Sequence, residues 1–505
     1  MLKFNRVAPV FFLFFLLRPA IFAQSGTTFP RLEPDPKALE YYKLSERDQG
    51  YSWTELAEIS LWASGEYSAA NLEKIRVSVE TLKSSSPASP EAAQQAAQQT
   101  AKEKAEFILG FMHKNFLKSY SLNQTRIGTL LSNGRFNCVS SAALYMILCE
   151  SAGLHARGVI TKDHAFTTLH IGESDIDVET TNPYGFDPGN RKEFSDQFGR
   201  VTGFAYVPAR NYRDRQTIGQ IELISLILSN RIAELESRGN YAEAVPVAID
   251  RAALLMGDVS NVRPDAPEKS YGPIFENPFK DLMNRLFNYG ANLLKAGREK
   301  DCLAWAAAAS SVYPDESRWQ EFILAAANNH IMRHIKSGKT ADARNFLEDE
   351  KTLINQANYA RLETVLIDAE LLDSVNKIRT AADGDAVLLA IDQARSSDKI
   401  NNKRAAEILI FAVQKTTSVL SAAPARDWRA AVSYIEGVIA HFGANRELEQ
   451  ALKTYRGNIT TDFHNRFAAA WNKKNFDEAE RILNEGLAEF PDDRQLLSDR
   501  ATIKK

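Results

Sequence analysis

The sequence predicts an α+β domain followed by an all-α half. Three patterns support this fold class. A short helical pattern over 137–152 follows a long Ala- and Gln-rich helix over about 91–118, and it precedes three strand-like segments at 156–162, 164–172 and 175–181. Beyond about residue 216 only helical periodicity recurs. The order is therefore a helix, then antiparallel strands, then helices to the end of the chain.

The first 23 residues have the pattern of an export signal. They begin with Lys3 and Arg6, continue with an apolar run over 10–17 and end at Ala23. The apolar run is shorter than the roughly 20 residues that a membrane-spanning helix needs. An uncleaved anchor is the alternative, because Arg18 blurs the usual pattern. We expect an exported protein, periplasmic or extracellular, that is soluble and has no stable membrane span once the signal is removed.

The sequence divides into four segments. Residues 1–23 form the signal peptide, 24–90 a helical segment with a linker "SSSPASP", 91–215 the α+β domain and 216–505 the helical domain. The chain has 61 basic and 64 acidic residues, and removal of the signal takes away three basic ones, so its formal charge moves from −3 to −6. An acidic surface argues against nucleic acid as a partner.

The chain has three cysteines, Cys138, Cys149 and Cys302. If Cys138 and Cys149 lie on one helix, their Cα atoms are about 16 Å apart. A disulfide needs less than about 7 Å between Cα atoms, so these two cannot pair with each other. Cys302 can in principle pair with either, but we expect three free thiols.

Cys138 is the candidate nucleophile because it stands at the predicted start of the helix. The unpaired amide groups there favour a thiolate, and Asn137 is a suitable helix cap. The Cys138 amide itself is a candidate oxyanion donor. Cys149, near the helix end, and Cys302, at a small-residue position of a helical unit, are expected to be core residues.

A nucleophilic thiol needs a base, and the base needs a group that orients it. His164 opens a predicted strand, and Glu179 and Asp177 lie on the strand that returns beside it. Both carboxylates point to the same face of that strand, so spacing leaves them as alternatives. His170, on the same strand face as His164, is an alternative imidazole with no catalytic role expected.

Three sequence blocks resemble the transglutaminase-like (papain-like cysteine protease) superfamily. These are "FNCVSSAALYMILCESAGLHARGV", "HAF" in place of the usual "HAW", and "IDVETTNP" in place of "vDPT", within about 105–215. The resemblance implies a papain-like transglutaminase core, in which a helix packs on an antiparallel sheet. It assigns Cys138 as nucleophile and His164 as general base, and it places Glu179 where the family has aspartate.

The resemblance also implies a function. Bacterial members of this group imply hydrolysis by a cysteine protease or amidase at least as often as transamidation, with a protein or peptide as substrate. The sequence has no metal-ligand spacing among its histidines and no Gly-rich phosphate loop, so no cofactor or metal is expected. A second oxyanion donor remains open, and Asn123 and Gln124 are the candidates. The rival hypothesis is a non-catalytic envelope scaffold that uses a degenerate form of this fold for protein binding.

The helical half contains repeated helix–turn–helix patterns. Five segments align on a small residue each: Ala244, Cys302, Ala343, Ala431 and Ala479. This pattern resembles the tetratricopeptide repeat, in which small residues let paired helices approach closely. We expect four to six such units with irregular insertions, and the resemblance implies that they bind a protein partner. The alternative is a helical stalk that only positions the first domain.

Overall fold

The protein is described by a computed structural model that covers residues 28–45, 47, 50–85, 94–189, 194, 198–200, 202–208, 211, 213–259, 271–422 and 426–503. The predicted signal peptide at 1–23 and most of the linker at 84–90 lie outside these residues. The chain divides into two compact units, one that ends at Ile323 and one that begins at Leu324. The boundary falls inside a helix.

The first unit opens with helices. They are α1 (Pro36–Leu44), α2 (Trp53–Ala63), α3 (Ala69–Ser85), α4 (Gln94–Asn115), α5 (Ile127–Asn133) and α6 (Cys138–Ser151). Helix α2 begins with a capping box between Ser52 and Glu55, in which each side chain accepts a hydrogen bond from the other residue's backbone amide. Helix α6 is buried over its whole length from Cys138 to Cys149. It is therefore the centre around which the other elements pack.

Two small sheets belong to this unit. Strand β1 (Ser119–Tyr120) runs parallel to β2 (Arg135–Phe136), directly before α6. The second sheet has the order β5-β4-β3-β6 and is antiparallel throughout, with β3 (Ala156–Ile160), β4 (Ala165–Ile171), β5 (Ser174–Val178) and β6 (Gln216–Ile218). The three predicted strand segments therefore form β3, β4 and β5.

Helices complete the first unit. They are α7 (Gln220–Ser237), α8 (Tyr241–Met256), α9 (Pro278–Lys295) and α10 (Glu299–Val312), and each packs against the next. Helices α2 and α7 both contact α6, so segments from before and after the sheet cover the same central helix. Strands β3 and β4 cover another side of it.

The second unit is built from successive helices, and α11 (Arg318–Lys336) contains the boundary between the units. The others are α12 (Thr340–Asp349), α13 (Gln356–Lys377), α14 (Ala381–Ser396), α15 (Asn402–Leu420), α16 (Trp428–Phe442), α17 (Arg446–Asn472), α18 (Phe476–Glu489) and α19 (Arg494–Ile503). Among the described residues of both units, no helix combines the length and the apolar character that a membrane crossing requires.

The five small residues singled out by the sequence are all buried. Ala244, Cys302, Ala343, Ala431 and Ala479 each have at most 1% of their surface exposed. They lie on α8, α10, α12, α16 and α18, which are helices that pack against a sequence neighbour. Small side chains at these positions let the paired helices come close together.

The predicted fold class is wrong. The chain is mainly α-helical, and it is not an α+β papain-like transglutaminase core with a helical region appended. The longest described strand has seven residues, whereas the helices reach 27. The physical reason lies in α6: one sheet can cover only one side of a helix that is apolar all round, so helices from both directions cover the rest. A strand also occurs at Gln216–Ile218, where only helices were expected, because it pairs with the free edge of β3.

A buried ion pair crosses the second sheet. Arg215, directly before β6, passes over the Phe166 ring of β4 at 5.1 Å from its centre. It donates two hydrogen bonds to Asp177 on β5, at 2.6 Å to Oδ2 and 2.9 Å to Oδ1. Tyr206 donates a third to Asp177 Oδ2 at 2.8 Å. Strands β5 and β6 are the two edges of the sheet. The ion pair therefore links Asp177 on one edge to Arg215 beside the other edge, across the central strands.

Replacing Arg215 by Met should therefore destabilise the first unit. The change leaves the Asp177 charge buried without its main partner, so we expect the free energy of unfolding to fall by about 3–5 kcal/mol in urea denaturation. Arg76→Met is the matched control, because Arg76 pairs with Glu73 and Glu80 on the exposed face of α3 and should lose no measurable stability. Equal losses in the two variants would contradict this account.

Candidate active site

Cys138 is the first residue of α6, as the sequence predicted. Asn137 caps the helix, and its side-chain oxygen accepts from the Ser140 amide at 3.0 Å. Ser140 Oγ in turn accepts from the Asn137 amide at 3.0 Å. The cap hydrogen bonds involve the amides of Asn137 and Ser140 and do not involve the amide of Cys138. An amide at this first position of a helix has no partner within the helix. The thiol thus stands at the positive end of the helix dipole.

His164 and Glu179 form a buried contact. The His164 Nε2 atom lies 2.7 Å from Glu179 Oε2, and the two side chains are 1% and 0% exposed. The opposite ring nitrogen, Nδ1, is buried and makes no hydrogen bond of ordinary geometry. The Cys138 thiol is nevertheless near enough to interact with the imidazole. The structure therefore brings Cys138, His164 and Glu179 together, with the imidazole between the thiol and the carboxylate.

The charges at this site hold a proton on His164. Burial disfavours the imidazolium, but the negative charge of Glu179 and the hydrogen-bonding influence of Cys138 and Glu179 outweigh it. Together they raise the pKa of His164 to about 10. The imidazole is therefore cationic at neutral pH, which places a positive charge beside the Cys138 sulfur.

Three aromatic rings hold the imidazole. Phe166 and Phe204 stack against it at 6.2 Å and 5.7 Å between ring centres, and Phe198 meets it edge-on at 4.9 Å. Phe166 is the aromatic residue that the sequence placed two positions after His164. Phe198 and Phe204 come from the segment after β5, and no sequence pattern linked either of them to His164. This cage excludes water from the ring and fixes its plane.

The Glu179 carboxylate is oriented by its own loop. Its other oxygen, Oε1, accepts from the Thr181 amide at 3.1 Å and from the Thr181 hydroxyl at 2.8 Å. The Glu179 amide donates to the Gly185 carbonyl oxygen at 2.8 Å. A Cβ atom at Gly185 would lie 2.0 Å from the Glu179 carbonyl oxygen, so the close return of this loop requires glycine.

The same loop is tied to α4 and α6. His113 on α4 lies 3.1 Å through Nε2 from the Thr180 carbonyl oxygen. Burial lowers the pKa of His113, so the ring is neutral and its N–H donates to that carbonyl. The Thr180 and Ser141 hydroxyls are 2.8 Å apart. Because Ser141 lies one turn from Cys138, these contacts fix the carboxylate relative to the thiol.

Asp177, the alternative carboxylate, does not contact the imidazole through a hydrogen bond or ion pair. Its two oxygens accept from Arg215 and Tyr206 instead. His170 is also separate from the site: its side chain is exposed and pairs with Asp175 at 2.9 Å. Of the two carboxylates that spacing left open, Glu179 is the one placed on His164.

The three cysteines are free and buried. Cys149 lies fully inside the core, and burial raises its pKa far above the usual value. Burial likewise raises the pKa of Cys302, to about 12. Cys138 differs from both because it lines a cavity.

That cavity has a volume of about 540 Å³. Cys138 and His164 line it together with one face of α7, which contributes Ser229, Asn230 and Glu234. A second cavity of about 540 Å³ also reaches His164 and is lined by Phe204 and the turn at 161–163. His164 therefore lies at the wall of two cavities, although little of its own surface is exposed.

The two residues proposed from the sequence as oxyanion donors differ in their surroundings. Gln124 is buried, and its amide nitrogen donates to the carbonyl oxygens of Arg126 and Arg135 at 2.8 Å and 3.0 Å. Asn123 is exposed at the wall of the first cavity. Tyr120, which no sequence pattern indicated, lies within the electrostatic influence of Cys138. A strand of two residues such as β1 is too short to show an alternating hydrophobic pattern, so no sequence signal indicated Tyr120.

The raised pKa of His164 predicts a pH-dependent contribution to stability. Since the folded-state pKa of about 10 exceeds the ordinary 6.5, the contribution is fully present below pH 6.5 and is lost as the pH rises through 10. Glu179→Gln removes the charge that holds the proton. The difference in unfolding free energy between wild type and this variant should be of the order of a few kcal/mol at pH 6 and shrink by pH 10.

Chemical denaturation at the two pH values measures this difference. Asp175→Asn is the matched control, because it removes the carboxylate beside the exposed His170 and should give the same small difference at both. A Glu179→Gln difference that does not change between pH 6 and pH 10 would show that His164 holds no extra proton.

Comparison with known proteins assigns no family. No family model matches the chain, and no curated protein matches it. Among solved structures the chain is similar to menin, in "Crystal structure of menin reveals the binding site for Mixed Lineage Leukemia (MLL) protein", with 12% identity and a TM-score of 0.29. The alignment covers 85% of this chain and 99% of that chain. A TM-score and an identity this low carry no argument for fold or function.

Proposed function

We propose that the protein is a thiol enzyme that forms an acyl-enzyme at Cys138, a cysteine protease or amidase acting on a protein or peptide. One observation carries this proposal: His164 joins a buried carboxylate, at 2.7 Å, to a thiol that lines a cavity. The transglutaminase-like superfamily has a cysteine, a histidine and a carboxylate in the same chain order, with aspartate where this chain has Glu179. The motif resemblance supports the reaction class, and it does not concern the overall fold.

The first half of the reaction makes a thioester. The Cys138 sulfur attacks the carbonyl carbon of the substrate, and the C–S bond forms as the carbonyl electrons move to oxygen. His164 then gives its proton to the leaving nitrogen, the C–N bond breaks and the amine departs. Glu179 keeps the ring in the orientation that both transfers need.

The second half releases the acyl group. His164, now neutral, takes a proton from water as the water oxygen attacks the thioester, and the C–S bond breaks to give a carboxylic acid. The electron pair of that bond returns to the Cys138 sulfur, and the proton stays on His164 for the next cycle. An amine in place of water would give transamidation. Hydrolysis is the preferred proposal, because the bacterial proteins that the motifs resemble are proteases or amidases at least as often as transamidases.

The proposal extends to partner and location. We infer that the helices of the second unit bind a protein partner. A groove of about 430 Å³ between α14 and α16 supports this inference, because Leu388, Val438 and Phe442 line it and Leu389 leaves 59% of its surface exposed. We also propose that the chain is exported, periplasmic or extracellular, through its first 23 residues. Determining the N-terminus of the purified mature protein tests that part.

The reactivity of Cys138 tests the catalytic proposal. Because a cationic His164 lies beside the thiol, iodoacetamide should alkylate Cys138 at pH 6 at least about 10-fold faster than it alkylates free cysteine. Mass spectrometry of the digested protein identifies which thiol has reacted. Cys149 and Cys302 should stay unmodified in the folded protein, since both are fully buried.

Two outcomes decide the proposal. Cys138→Ala should remove the fast alkylation and should also remove hydrolysis of peptide or amide substrates. Cys149→Ala, on the same helix, is the matched control and should keep both. Alkylation of wild-type Cys138 no faster than free cysteine below pH 7 would contradict the enzyme and favour the non-catalytic scaffold.

A further inference from the structure

Two buried polar atoms beside the start of α6 have no hydrogen bond of ordinary geometry. They are the hydroxyl oxygen of Tyr120 and the Nδ1 atom of His164. The electrostatic influence of Cys138 reaches both side chains. Folded proteins rarely leave buried polar groups unpaired, and such groups at a catalytic site often make their hydrogen bonds only during the reaction. His164 has a role in the proposed mechanism, whereas Tyr120 has none so far.

The local structure explains why Tyr120 reaches Cys138. The parallel ladder of β1 and β2 pairs Tyr120 with Phe136, and the Ser121 amide donates to the Phe136 carbonyl oxygen at 2.7 Å. The Tyr120 ring lies edge-on to Phe136, at 5.8 Å between ring centres. Cys138 follows Phe136 by two residues and begins α6. The pairing of β1 with β2 therefore places Tyr120 near the start of α6.

The site needs a donor of this kind. When a thiolate attacks a carbonyl, negative charge appears on the carbonyl oxygen, and enzymes stabilise it with two preorganised donors. The Cys138 amide, free at the helix start, supplies one. Of the side chains considered from sequence, Gln124 donates to two backbone carbonyls and Asn123 is exposed at the wall of the first cavity, so neither is a free donor shielded from water.

We propose that Tyr120 is a catalytic residue whose hydroxyl donates a hydrogen bond to the developing oxyanion, together with the Cys138 amide. This inference rests on the proposed function. Tyr120 keeps its own proton throughout: its hydrogen bond strengthens as charge moves to the oxygen and weakens when that charge returns to expel the amine. Burial, with Cys138 and Glu179 nearby, raises the pKa of Tyr120 far above its usual value, which keeps the phenol a donor at all working pH values.

Two reagents separate this role from effects on the thiol itself. Acylation of Cys138 by 4-nitrophenyl acetate passes through an oxyanion, whereas alkylation by iodoacetamide does not. Tyr120→Phe should therefore lower the acylation rate about 10²–10³-fold and leave the alkylation rate within about twofold of wild type. The variant removes one oxygen atom that has no ordinary hydrogen bond, so its melting temperature should equal that of wild type.

Tyr145→Phe is the matched control. Tyr145 lies on α6, and its buried hydroxyl donates to the Ala105 carbonyl oxygen at 3.0 Å, away from the thiol. This variant should keep both rates. Both reactions are measured on the same thiol, so a loss of folded protein would lower both rates equally. The ratio of the two rates therefore tests the role of Tyr120 even if Tyr120→Phe reduces the stability of the protein.

The outcomes distinguish the two proposals. Equal acylation rates in wild type and Tyr120→Phe would overturn the role of Tyr120 alone. A parallel fall of acylation and alkylation would also overturn it, since Tyr120 would then act on the thiol and not on the oxyanion. A wild-type Cys138 that alkylates fast but is never acylated would overturn this inference and the proposed enzyme together.

Discussion

The buried contact between His164 and Glu179 is the constraint on which the rest of the site depends. A carboxylate with no exposed surface is tolerated only if charged or hydrogen-bonding partners surround it. Here one oxygen faces the imidazole and the other accepts twice from Thr181. The return of the loop through Gly185 and its ties to His113 and Ser141 all serve to hold that carboxylate. A different position for Glu179 would leave His164 buried and uncompensated.

Much of the site could be predicted from sequence because its signals are local. Cys138 at a helix start, Asn137 as its cap and His164 before a strand each follow from a few neighbouring residues. The carboxylate could not be chosen, because Glu179 and Asp177 share one face of one strand. Which carboxylate contacts His164 depends on Arg215, 38 residues beyond Asp177, because the Arg215 guanidinium binds the Asp177 carboxylate. Tyr120 was missed for a similar reason, since its position comes from pairing with a two-residue strand.

The fold class could not be predicted in the same way. Periodicity identified α6 and strands β3 to β5, but it does not report how many elements surround them. The sequence of α6, which is mainly apolar around the helix, could in principle have indicated the surrounding elements, because such a helix must be covered on every side. Helices α2 and α7 provide that cover from segments that the sequence assigned to other domains. The small sheet is therefore part of a mainly helical unit.

The protonation state of His164 tests the central claim most directly. Histidine-selective ¹⁵N NMR of wild type and Glu179→Gln, with the His164 signal assigned through a His164→Gln variant, reports the proton count on both ring nitrogens as the pH changes. The account predicts a wild-type imidazole that keeps both protons from pH 6 to pH 8 and titrates near pH 10, and a Glu179→Gln imidazole that loses its proton at lower pH. A wild-type His164 that is neutral at pH 7 would contradict it.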